Sequence, residues 1–214
     1  MSPPTNSLAV RHSLIALARR YHEMGWMLGT GGNLSCRYVS GTDEDRFIIT
    51  ASGRDKRVLQ ESDFVEMLVD GESIQPAPGD LKPSAETEIH RTIYRRFPNA
   101  AAVLHVHTVA STLARPQGQL PGAIRFEALE MLKAWDLWEE GITAELPVFD
   151  NHGDVAKIAA TIDAAYETPP PVPALLIAGH GITAWGDTLH AANRHLEVTE
   201  FMCQIHLARQ RSLS

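Results

Sequence analysis

The sequence has little cysteine: two in 214 residues, Cys36 and Cys203. They lie far apart and outside any Cys-x-x-Cys spacing, so neither a disulfide framework nor a thiolate metal site is expected, only two buried thiols. A long basic block is also missing. Acidic residues outnumber basic ones, 26 to 19, for a formal charge of -7, and without a basic stripe to track a phosphate backbone nucleic acid is not an expected partner. No apolar run approaches the roughly 20 residues of a membrane span. Met1-Ser2-Pro3-Pro4-Thr5-Asn6-Ser7 shows no basic segment leading into an apolar one, so the expectation is a cytoplasmic protein with no membrane partner. Nucleotide-binding signatures are absent too. Gly29-Thr30-Gly31-Gly32-Asn33-Leu34-Ser35 is rich in glycine, but it lacks Gly-Lys-Ser/Thr and does not read Gly-x-Gly-x-x-Gly between a strand and a helix.

What is present is enough apolar material, 44% of the chain, for one substantial core, and a single domain over 1–214 is expected. Leu8, Val10, Leu14, Ile15, Leu17 and Ala18 recur at helical spacing and Gly25 offers a stop, which predicts an opening amphipathic helix. After the glycine-rich turn, Arg46-Phe47-Ile48-Ile49-Thr50 and 64–69 read as strands of antiparallel sheet. Lys82-Pro83-Ser84 precedes a helical run through Ile89, Ile93 and Tyr94, with Ser84 as its candidate N-cap. Helical periodicity follows over 128–138, a short strand at Leu146-Pro147-Val148-Phe149, and an alanine-rich helix from Val155 to Tyr166. Pro169-Pro170-Pro171-Val172-Pro173 reads as a stiff surface connection, and a last helix runs from about Thr188 to Arg209. The order predicts an α/β fold: a mixed, largely antiparallel sheet flanked by helices.

The chemistry concentrates in histidine. His105-Val106-His107 follows the apolar run Ala101-Ala102-Val103-Leu104, and on a strand residues two apart share a face, so both imidazoles can reach one ion. His180, between Gly179 and Gly181 at the end of the apolar segment 174–178, is a third candidate. Three neutral imidazoles with one open position suit a catalytic zinc; the alternative is satisfied histidines at strand ends. A metal that polarises a carbonyl needs a base to take the adjacent proton, and Glu86 and Glu130 are the carboxylates that stand out. From spacing alone either is more simply a solvated helix-face charge or a first-turn charge that complements the helix dipole. The glycine-rich loop with Asn33 and Ser35, the stretch Ala51-Ser52-Gly53-Arg54-Asp55-Lys56, and Lys82-Pro83-Ser84 offer amides, hydroxyls and positive charge that suit a phosphate monoester if they converge. Trp26, Met27, Met131 and Trp135 could line a thioether pocket or simply be core.

Taken together, Gly29-Thr30-Gly31-Gly32-Asn33-Leu34-Ser35, Ile49-Thr50-Ala51-Ser52-Gly53, Lys82-Pro83-Ser84-Ala85-Glu86-Thr87, Val103-Leu104-His105-Val106-His107 and the stretch from Gly179-His180-Gly181 to Gly186 resemble the class II aldolase and adducin-head family over nearly the whole chain. The resemblance implies a three-layer αβα fold. It implies one Zn2+ per subunit on His105, His107 and His180, a ketose phosphate substrate, and a homo-oligomer, by family habit a tetramer. The segments 126–134, 146–151 and 197–201 are most similar to the branch that dehydrates 5-methylthioribulose 1-phosphate in methionine salvage. That likeness makes Glu130 the acid/base and places Gly32, Asn33, Ser52, Gly53 and Ser84 around the phosphate. Glu86 matches the aldolases' base and displaceable metal ligand, and is read here as a substrate-site residue. Arg57-Val58-Leu59 departs from the pattern, which has a glycine before the apolar residue. A sugar-phosphate aldolase or epimerase, or a non-catalytic adducin-like binding module, are the alternatives the family holds.

Overall fold

The computed structural model describes residues 7–39, 44–71, 81–166 and 172–212. Met1 to Asn6 and most of the proline-rich connection lie outside them. Among the described residues eight strands form one sheet: β1 (Asn33–Tyr38), β2 (Arg46–Thr50), β3 (Phe64–Leu68), β4 (Ala102–Val106), β5 (Gly122–Glu127), β6 (Thr143–Phe149), β7 (Ala174–Ile177) and β8 (Gly181–Gly186). Their spatial order is β3-β2-β1-β4-β8-β7-β6-β5. Every pairing is antiparallel except β6 with β7, where helix α4 (Val155–Ala165) supplies the crossover a parallel pair needs. The remaining helices are α1 (Ser7–Glu23), α2 (Thr87–Arg96), α3 (Val109–Leu113) and α5 (Leu189–Ser212).

The period of two along the strands assigns the two faces. Leu34, Cys36, Leu104, Val106, Ile182 and Ala184 join the core that also holds Leu14 and Ala18 of α1 and Leu196 and Met202 of α5. The alternate residues Val103 and Trp185 join a second core with Ile89 and Ile93 of α2 and Ile158 and Ile162 of α4. Helices on both faces give the three layers expected. The same alternation puts Asn33, Ser35, His105 and Thr183 on the α2 side. Their polar side chains therefore meet α2 and the chain that leads into it.

Helix α1 ends where Gly25 takes φ +76°; the Trp26 amide reaches back to the Tyr21 carbonyl at 2.8 Å, the six-to-one bond of a left-handed cap. The turned chain then lets the Trp26 carbonyl accept from the His107 amide at 3.0 Å. Cys36 and Cys203 are buried and unpaired. No described helix is long and apolar enough to cross a membrane.

Four local readings change. β1 begins at Asn33, inside the segment read as a turn, and β5, β8 and α3 are additional elements. Residues 128–138 form only a 3-10 segment, Glu130–Trp135, because Ala128 (φ 54°) and Asp136 (φ 61°) adopt left-handed conformations at its ends and interrupt an α-helical run. Ser84 is not the N-cap of α2. A turn with the Thr87 amide on the Ser84 carbonyl at 3.1 Å comes first, so the cap position falls on Glu86.

Candidate active site

His105, His107, His180 and Glu86 each place one ligand atom within 4.8 Å of the others. Strand β4 carries His105 on its α2 face and delivers His107 just past its end, as the spacing of two requires. His180 sits in the turn between β7 and β8, its amide on the Ile177 carbonyl at 3.0 Å. Its glycine neighbours are steric necessities. Gly179 has φ +68°, and a Cβ on Gly181 would lie 2.2 Å from the Val106 carbonyl oxygen and 3.0 Å from a carbon of the His107 ring, so only glycine lets the turn close on the histidine strand.

The three rings meet edge to face, with centroids 4.7–4.9 Å apart, and Nε2 of His105 lies 2.8 Å from Nε2 of His107. Glu86 Oε1 is 2.8 Å from His180 Nε2 and its Oε2 is 3.2 Å from His105 Nε2. Nδ1 of His105 meets Thr183 Oγ1 at 3.0 Å, across the registered pair His105–Thr183. A proton held on Nδ1 leaves the Nε2 lone pair for an ion.

Burial pushes the His105 imidazole down to about 3 and also lowers His107, with the nearby His180 adding to the effect. Burial opposes charge on Glu86, but the His105 and His180 imidazoles and the Asn33 amide hold its carboxyl well below the usual range. The lowering of His105 and His107 favours their neutral imidazoles and that of Glu86 its carboxylate, the forms that ligate a metal. Two imidazole Nε2 atoms facing each other at 2.8 Å suit a shared divalent cation.

Close approaches and hydrogen bonds link the segments that carry the residues expected around a phosphate to this cluster. Gly32 has φ +72°, and a Cβ there would lie 2.8 Å from the His105 carbonyl, so the glycine-rich loop lies directly on β4. Asn33 donates through Nδ2 to Glu86 Oε2, while its buried Oδ1 has no partner among the described residues. The exposed Ser52 and Gly53 turn is tied to the 82–84 segment by the Ser52 amide on the Lys82 carbonyl at 2.9 Å and by an Ala51–Pro83 bridge. Ser84 Oγ accepts from the Glu86 amide at 3.4 Å.

Glu130 is not in the four-residue cluster. It opens the 3-10 segment with its side chain 80% exposed, paired to Lys133 Nζ at 2.6 Å, in the wall of a cavity of about 310 Å³ shared with Leu132, Trp138 and Ile142. Trp135, a candidate for a thioether pocket, is core; Met27 is buried there as well, against the glycine-rich loop. The sequence reading missed Thr183. Only the β4–β8 register places it beside His105, and nothing in the local sequence carries that register.

A model of the class II aldolase and adducin N-terminal domain matches residues 12–207. A methylthioribulose-1-phosphate dehydratase from Microcystis aeruginosa is 44% identical over 90% of this chain and 92% of its own length. One from Sorangium cellulosum is 38% identical over 91% and 89%. Among solved structures, an L-fuculose 1-phosphate aldolase superposes with a TM-score of 0.74 at 25% identity, covering 97% of this chain and 89% of its own. In fold, a putative aldolase/epimerase/decarboxylase from Klebsiella pneumoniae is also similar, with a TM-score of 0.77 at 21% identity over 95% and 91%. The chain belongs to the class II aldolase and adducin N-terminal domain family.

Proposed function

We propose that this chain is a zinc-dependent hydro-lyase that converts 5-methylthioribulose 1-phosphate to 2,3-diketo-5-methylthiopentyl 1-phosphate and water. The observation that carries the reading is the partly buried convergence of His105, His107, His180 and Glu86, in a chain whose relatives are named as this dehydratase at 38–44% identity. In this reading His105, His107 and His180 hold the ion, and Glu86 stands beside them as a further oxygen ligand or a substrate contact. A bound divalent ion supplies Lewis acidity toward the C2 carbonyl oxygen. Gly32, Asn33, Ser52, Gly53 and Ser84 hold the phosphate and so fix C3 relative to the base.

Glu130 removes the C3 proton, the electron pair passes toward the C2 oxygen to give the enediolate, and re-formation of the C2 carbonyl expels the C4 hydroxyl. Glu130 returns its proton to that departing oxygen, which leaves as water, and the resulting enol tautomerises to the 2,3-diketone. Proton transfer by a positioned group contributes about 10²- to 10⁴-fold. An aldolase would rely on Glu86 as base and cleave a carbon–carbon bond. The test is to incubate the zinc-loaded protein with 5-methylthioribulose 1-phosphate and follow the product by mass spectrometry: loss of one water supports the dehydratase, and two fragments overturn it.

A further inference from the structure

We propose that Lys56, the buried ammonium joining the 29–32 loop to the 51–56 turn, is the fixed cation of the substrate-phosphate pocket and a positioning residue for that anion. The inference rests on the phosphate-ester reading above and names the group that supplies the charge.

Lys56 is 1% exposed. Its Nζ donates to the Thr30 carbonyl at 2.9 Å and to the Arg54 carbonyl at 2.9 Å. An ammonium has three donors, and among the described residues the third has no acceptor and no carboxylate forms an ion pair with it. A buried cation is ordinarily matched by an anion, yet this one is hydrogen-bonded only to carbonyls, and the neighbouring Asp55, which acts on it through space, is paired instead with Arg57. Other cations of the same region are committed or solvated. Arg54 pairs with Asp63 at 3.3 Å, Arg57 with Asp55 at 2.6 Å, and Lys82 is exposed.

Position points the same way. The two carbonyls that Lys56 holds belong to the loops that carry Gly32 and Asn33 on one side and Ser52 and Gly53 on the other. Next to Thr30, a Cβ on Gly31 would lie 3.0 Å from His107 Nδ1, so the loop that Lys56 anchors also lies against the histidine cluster. Burial pushes Lys56 itself down to about 8, the mark of a cation that lacks a full counter-charge. A phosphate ester seated between the two loops would supply it and accept from their exposed amides. Without an anion, Lys56 ties the loops together; with one, it also fixes where the phosphate sits relative to the histidines.

The test compares the wild type with Lys56→Met and Lys56→Arg, using inorganic phosphate as probe. Binding is measured by calorimetry with and without chelator, which separates phosphate on the ion from phosphate in the loops. A charge-assisted contact predicts phosphate affinity at least about tenfold weaker in Lys56→Met, partly restored in Lys56→Arg, with KM for 5-methylthioribulose 1-phosphate rising in step and kcat changing less. A residue that only stitches loops would lower the melting temperature without altering the phosphate-dependent shift, and that result overturns the proposal. If Lys56→Met does not fold, the wild type decides. The 15N resonance of Lys56 Nζ moves when phosphate is added if the proposal holds; an unmoved resonance overturns it. A wild type that binds phosphate through Lys56 but leaves the sugar phosphate intact fails the dehydratase reading alone. A working dehydratase with unchanged KM and phosphate affinity in Lys56→Met fails this inference alone.

Discussion

Replacing Thr183 by valine tests the metal centre through a residue that does not itself ligate. Thr183 is fully buried and His105 is 1% exposed, and the hydroxyl is the partner of Nδ1 at 3.0 Å. Valine keeps the shape and the β-branched preference for β8 while removing the oxygen. The Nδ1 proton then has no acceptor in a site water does not reach, a loss of about 1–3 kcal/mol for an unsatisfied buried donor. The ring has an escape: the proton can sit on Nε2 instead, where it blocks the lone pair an ion needs. Metal binding must reverse that tautomer, so the cost reappears as affinity. Loss of such an outer partner is expected to weaken metal affinity by about 10- to 100-fold, or about 1.4–2.8 kcal/mol, which agrees with the hydrogen-bond figure. The assay is competition for zinc with a chromophoric chelator, run beside Thr183→Ser, which keeps the hydroxyl and stays near wild type. A folded Thr183→Val protein whose zinc affinity lies within threefold of wild type would refute the reasoning.

Glu130→Gln is expected to reduce water loss by about 10²- to 10⁴-fold, with zinc content unchanged by metal analysis, because Glu130 stands outside the ligand cluster. Gly181→Ala forces a Cβ to within 2.2 Å of the Val106 carbonyl, so calorimetry should give a lower melting temperature and metal analysis a loss of zinc. Chelation should lower the melting temperature reversibly, since an ion held at 1,000 times its Kd contributes about 4 kcal/mol. For pH, burial lowers His90 from 6.5 to about 4. The folded state then binds fewer protons than the unfolded one between those values, so the stability of chelated protein falls as pH drops from about 6.5 toward about 4. His90→Asn should flatten that slope in urea titrations.

Much of this architecture is written in local pattern. The apolar run leading into the period-two histidines predicted a strand, and β4 lies fourth of eight; apolar spacing and Gly25 gave α1 to within a residue or two at each end. The glycines around His180 marked a place where no side chain fits. What local pattern could not carry was register and long-range pairing. β1 hid in a glycine-rich stretch because Asn33 and Ser35 are polar on the α2 face, where Glu86 and the buried pair His90 and Tyr94 meet them; in isolation those polar residues read as a turn. Helical periodicity at 128–138 was overridden by left-handed backbone at Ala128 and Asp136. The role of Thr183 exists only across β4 and β8. Glu86 could be named from its segment, but its contact with two histidines comes from tertiary packing.

The most direct test of the central claim is to titrate zinc into chelator-stripped protein while mass spectrometry follows 5-methylthioribulose 1-phosphate. The account predicts no conversion at the start, then a product lighter by one water, formed at a rate that rises with zinc and levels off at one ion per chain. Water loss by the stripped protein, or zinc-dependent cleavage into two fragments, would contradict it.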